Sequence, residues 1–223
     1  MKKGFTLAEV LITLAIIGIV AAMTIPTLVN NYRKKDTTAK LKKFYSTMIQ
    51  AIQLSELENG TSANWSKKDI AYDEEGNIDT EGQQQASDEF LDQYILPYIK
   101  YSKITDGTHV NQSRKVYFAD GTTIEAKNGS CMDFYFDSNG EKGPNKWGVD
   151  MFMFLFCNTP SSQICISGIT NSSVNFGAYT ACMKWSNFDT REKALEMCKN
   201  TASTCSVLLQ KYDNFEFKDD YPY

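Results

Sequence analysis

A single carboxylate, Glu9, stands inside an otherwise uncharged apolar run. Lys2 and Lys3 precede the small residue Gly4, and Phe5 opens the run. No further charge occurs from Val10 to Tyr32, after which Arg33, Lys34 and Lys35 close the segment. A charge held in lipid is costly and is usually functional, with a partner nearby. A plain anchor has no use for such a group, whereas a segment that assembles with others inside the membrane does. A second concentration of reactive groups lies between Asp137 and Asp150. There Asp137, Asn139, Glu141, Asn145 and Asp150 gather hard oxygen atoms among the tight-turn residues Gly140 and Gly143. Calcium takes six to eight oxygens of this kind, although the glycine spacing is not that of an EF-hand, and an ordinary Asp/Asn/Gly turn has the same composition. The third group is six cysteines, Cys131, Cys157, Cys165, Cys182, Cys198 and Cys205. An even number without a CxxC pair and with one histidine suits a disulfide framework in an oxidising compartment better than zinc. Fifteen pairings are open to six cysteines, and reduced core thiols are the alternative.

The elements that must position these groups follow from periodicity. The most apolar stretch, Val10 to Val29, covers roughly 30 Å as a helix, one bilayer core. Leu41, Phe44, Tyr45, Met48, Ile49 and Ile52 then recur at helical spacing, with Lys42, Lys43, Thr47, Gln50 and Gln53 on the other side. Asn59-Gly60 is a stop signal. One helix from Phe5 to about Glu58 would run roughly 80 Å, half in lipid and half offering an apolar stripe to a head. Pro26 interrupts its hydrogen bonding, with Thr24 and Thr27 placed to re-satisfy freed carbonyls.

Beyond the helix, residues 60–85 are polar and acidic and read as a loop. Ser87 is placed to cap a helix over 87–99. Val116–Phe118 and Thr122–Ile124 flank Asp120-Gly121 as a hairpin. Met132–Phe136 and Met151–Phe156 are aromatic strands, and Asp189 with Glu192 has the spacing of a capping box before a helix Arg191–Lys199.

The string Lys-Gly-Phe-Thr-Leu-Ala-Glu-Val-Leu-Ile over residues 3–12 resembles the leader and mature start of type IV prepilins and type II secretion pseudopilins. The resemblance implies that a membrane peptidase cuts after Gly4, that the new N-terminal Phe5 is N-methylated, and that Glu9 neutralises a neighbouring subunit's N-terminal amine. Such pairing lowers the desolvation cost of both groups. It also implies that Pro26 marks a bend or local melting of the helix during packing, and that a late loop holds calcium in some members. The ending, Cys205-Ser-Val-Leu-Leu-Gln with a final Asp-Tyr-Pro, is similar to prepilin-like C-termini that carry a cysteine, an apolar strand and a turn.

The expected fold is therefore α+β and pilin-like. The segments are a leader at 1–4, a membrane or filament-core helix at 5–29, its amphipathic continuation at 30–59, and a disulfide-bonded head at 60–223. The cysteines place the head outside the cytoplasmic membrane, since the flanking basic residues leave the orientation open. The expected role is a structural subunit of a pilus, pseudopilus or competence filament. Its implied partners are copies of itself, other pilin-like subunits, the prepilin peptidase and an inner-membrane assembly platform.

The alternatives are a signal peptide cut after Val20-Ala21-Ala22, or a signal-anchored extracytoplasmic binding module that never polymerises. Catalysis finds little support: His109 is the only histidine, and no GxSxG or phosphate-loop motif occurs. Bulk nucleic-acid binding is disfavoured by a formal charge of −4, which becomes −6 without Lys2 and Lys3. The basic cluster Arg33–Lys43 is explained by anionic lipid or by a neighbouring subunit's acidic face.

Overall fold

The computed structural model describes residues 4, 6–107, 114–158, 176–179 and 188–223. Helix α1 spans Leu7–Asn59, 53 residues, and ends at Gly60, whose φ of 74° breaks the helix. Its two halves follow different rules. No side chain of the apolar window near the N-terminus is buried, whereas Leu41, Phe44, Met48, Ala51, Ile52 and Ser55 are buried along one face. That face is the predicted stripe, with Tyr45 and Ile49 half-buried at its margin.

Among the described residues the head is built on six antiparallel strands that lie side by side in sequence order. They are β1 (Lys103–Thr105), β2 (Lys115–Tyr117), β3 (Thr123–Asn128), β4 (Met132–Asp137), β5 (Met151–Phe156) and β6 (Phe176–Ala178). The Asp120-Gly121 turn joins β2 to β3 as expected, with Val116 opposite Ile124 and Gly121 at φ 82°. Alternation along β4 and β5 turns Phe134, Phe136, Phe152, Phe154 and Phe156 to one face, all fully buried. Helix α1 lays its stripe on that face. Phe44 stacks on Phe136 at 4.3 Å and meets Phe154 edge-on at 5.1 Å. Trp65 closes the far end, stacked between Tyr94 and Phe156 at 4.5 and 5.2 Å, with its indole N–H donated to the Gly60 carbonyl.

Three expectations need correction. Helix α2 covers Thr80–Tyr94, so residues 80–85 are helical rather than loop, and Asp79 is the N-cap, accepting from Gly82 N. Ser87 lies in mid-helix. Its hydroxyl donates to the Gln83 carbonyl and accepts from Asn128 N, while Asn128 Nδ2 donates to Gln83 Oε1. Polar residues occupy the buried face of the first turns, and this hid the helix from an apolar-periodicity reading. Helix α3 (Arg191–Asn200) is present, but Thr190 is its N-cap in place of Asp189, which instead pairs with Lys193. The segment after Cys205 is not a strand: a helical turn Cys205–Val207 runs into a π-helical turn Leu208–Tyr212.

The outer face of β4 carries Asp133, opposite Lys127 on β3. Burial pushes its carboxyl up to about 7, against the pull of Lys127 and Lys67. The folded head thus keeps a proton that the unfolded chain loses near pH 4. The penalty is absent below that pH and grows as pH rises through about 7. Asp133→Asn should therefore melt above the wild type at pH 8. Thermal scans should show the gap narrowing below pH 7 and closing near pH 4. On the inner face, Phe44→Ala should cost about 3–5 kcal/mol of head stability, read from urea unfolding by tryptophan fluorescence.

Candidate functional site

The chain reaches α1 through Thr6, whose extended backbone makes it the N-cap. Glu9 N donates to Thr6 Oγ1 at 3.3 Å, and Thr6 N and Thr6 Oγ1 donate to Glu9 Oε2, each at 2.8 Å. This is a reciprocal capping box. Sequence reasoning gave Glu9 a partner in another subunit and overlooked Thr6, although the Thr-x-x-Glu spacing signals the box. The carboxylate thus has an intrachain role at the N-terminus of the helix, where a negative charge also suits the helix dipole. Among the described residues nothing donates to Oε1, so one oxygen stays open to a cation.

Gly4 has no atom within 4 Å of where a Cβ would stand. Packing against the described residues therefore does not require glycine there. Phe5 lies outside the described residues. Pro26 lies within α1, which runs through it without interruption. Thr24 donates its hydroxyl to the Val20 carbonyl at 2.9 Å, and Thr13 does the same to Val10 at 2.9 Å. Both hydroxyls are satisfied inside the span, as lipid demands.

The Asp137–Asp150 loop folds around its own backbone. Asp137 Oδ1 accepts from Asn139 N and Gly140 N, both at 2.9 Å. Asp150 accepts from Lys146 N at 2.6 Å, Asn145 N at 3.0 Å and Asn139 Nδ2 at 2.8 Å. Glu141 is directed elsewhere, accepting from the Tyr117 hydroxyl at 2.6 Å. The structure thus brings Asp137, Asn139 and Asp150 together and leaves Glu141 apart. Burial, helped by the charge of Asp150, pushes the Asp137 carboxyl up to about 6. Among the described residues no group of three or more His, Cys, Asp or Glu side chains converges. Asp137 Oδ1 and both oxygens of Asp150 thus serve the loop's own N–H groups, whereas Asn139 Oδ1 is buried without a partner among the described residues.

Among the described residues two disulfides are formed, Cys131–Cys157 and Cys198–Cys205. The first joins the start of β4 to the end of β5. The second ties α3 to the helical turn that follows it. Cys165 and Cys182 lie outside the described residues, as does His109. Near the chain end, Asp220 is held by Arg191. That guanidinium makes two bonds to Asp213 at 2.7 and 3.0 Å and two to Asp220 at 2.7 Å each.

The first 25 residues match the prokaryotic N-terminal methylation motif. With the long apolar helix and antiparallel head, this makes the chain a type IV prepilin-like protein, one processed by the prepilin peptidase and anchored in a membrane. Residues 27–223 match DUF6613, described as a family of unknown function, and the chain belongs to that family. No curated protein and no solved structure matches it.

Asp150→Ala removes the acceptor of three bonds and should destabilise the head by about 1–3 kcal/mol in chemical denaturation.

Proposed function

We propose that this protein is a structural subunit of a type IV pilus-like filament: a type II secretion pseudopilus, a type IV pilus or a competence pilus. The observation that carries the reading is the exposed half of α1. It has the length and composition of a span, and it begins with a capped carboxylate that has one oxygen to spare. In lipid, Glu9 is expensive on its own, and the N-terminal amine of a neighbouring Phe5 offsets that cost. Subunits then leave the bilayer laterally, exchanging lipid contacts along Leu7–Val29 for contacts with the same stretch of other subunits. Pro26, near the end of that stretch, is where the helix gives way to such packing.

The two disulfides support a head outside the cytoplasmic membrane, where thiols are oxidised. The implied partners are copies of this chain, other pilin-like subunits and an inner-membrane assembly platform. The role is mechanical rather than catalytic.

Mass mapping of the membrane fraction should find a mature N-terminus at N-methyl-Phe5. Glu9→Ala should be cut and membrane-inserted normally yet be absent from sheared filaments. Wild-type yields of filament from that variant, or a mature chain beginning at Met23, would refute the reading.

A further inference from the structure

Just above the membrane segment, a cavity of about 280 Å³ lies between α1 and the loop that precedes β5. Its cationic lining is Arg33 and Lys34 from the helix and Lys142 from the loop. We propose that it takes the phosphate-bearing headgroup of an anionic phospholipid from the membrane that anchors α1.

Position is the first argument. Arg33 and Lys34 stand roughly 6–8 Å beyond Val29 along the helix axis, the depth of the headgroup layer outside a bilayer core. The second argument is how charge is satisfied along α1. From one turn further on, each helix lysine facing the head has an acidic partner: Lys40 with Asp36, Lys42 with Glu216 and Lys43 with Asp120. Among the described residues, Arg33, Lys34 and Lys142 have none. The two carboxylates beside them are engaged, Asp36 by Lys40 at 2.7 Å and Asp150 by the N–H groups of its own loop. Three cations around one cavity with their neighbouring anions committed form a site for an outside anion. An arginine fork with two ammonium groups suits a phosphate diester.

The third argument is the wall. Phe217 and Tyr223 also line the cavity, giving an apolar flank beside the cations that a lipid's glycerol can use and a free phosphate cannot. The volume is close to the lower end of ligand pockets. The inference rests on membrane anchoring and not on filament assembly, so a non-assembling variant serves equally well to test it.

The test uses full-length mature protein in neutral detergent, titrated with phosphatidylglycerol, phosphatidylcholine or inorganic phosphate. Thermal melting and native mass spectrometry are the readouts. Phosphatidylglycerol should raise the melting temperature and persist as an adduct, and the other two should do neither. Lys142→Gln and Arg33→Gln should each weaken that lipid about tenfold, whereas Lys35→Gln, in the same basic run but outside the cavity, should change it less than about twofold. Equal effects of Lys142→Gln and Lys35→Gln would reduce the binding to a diffuse basic field and overturn the site. So would equal binding of the two lipids, or inorganic phosphate acting at the same concentration as the lipid.

Discussion

The stacking of Phe44 on Phe136 is the contact on which the rest of the molecule depends. It fixes the second half of α1 to the inner face of the sheet, and with it the direction in which the first half leaves the head. Around it, Phe134, Phe152, Phe154, Phe156 and Phe176 form an aromatic layer with no access to solvent. Aromatic pairs in such a layer are worth about 0.5–1.5 kcal/mol each beyond their buried area. Folding stability for a domain of this size is only of the order of 5–15 kcal/mol. The head is therefore stable largely because the helix is there to cover the sheet.

Electrostatics organises the periphery in a complementary way. Arg191 gathers Asp213 and Asp220, and Lys218 reaches Asp213 at 2.9 Å, so that the last ten residues are drawn against α3. Tyr221 donates to the Gly148 carbonyl at 2.6 Å, which brings the tail to the loop around Asp150. The chain end, the Cys198–Cys205 bridge and the loop before β5 thereby form one unit next to the lower part of α1. That unit also supplies one side of the basic cavity. A network of this kind holds geometry more than it adds stability, because exposed ion pairs contribute little singly.

Much of this was legible in the residues, and the failures have identifiable causes. Helix α1 announced itself because two periodic signals abut, a continuous apolar run and then a stripe at Leu41, Phe44, Met48 and Ile52. The β2–β3 hairpin was readable because Asp120-Gly121 supplies the positive φ that its turn requires, and β4 and β5 because aromatics alternate. Helix α2 was misjudged at its start because Gln83 and Ser87 are polar yet buried, and only the contact with Asn128, far off in sequence, makes that tolerable. The strand expected after Cys205 comes from the resemblance to prepilin-like endings, and the residues Val207, Leu208 and Leu209 fold as helical turns instead. A short apolar run does not distinguish a strand from a buried helical turn. Of the N-terminal site, Glu9 stood out by its cost in lipid, but Thr6 was passed over. The loop from Asp137 to Asp150 has the composition of an ion site, and the folded backbone adds what composition does not show, that Asp137 and Asp150 accept from the loop's own N–H groups.

The exposed half of α1 bears on what this molecule can be between its synthesis and its final place. With no buried side chain along its apolar window, that half-helix is never at rest in water. It is complete only when something apolar surrounds it, which in the anchored protein is lipid. In the filament proposed above, the helices of other subunits would take the place of that lipid while the head kept its one folded state. The transfer from one to the other would then have to work without an aqueous intermediate.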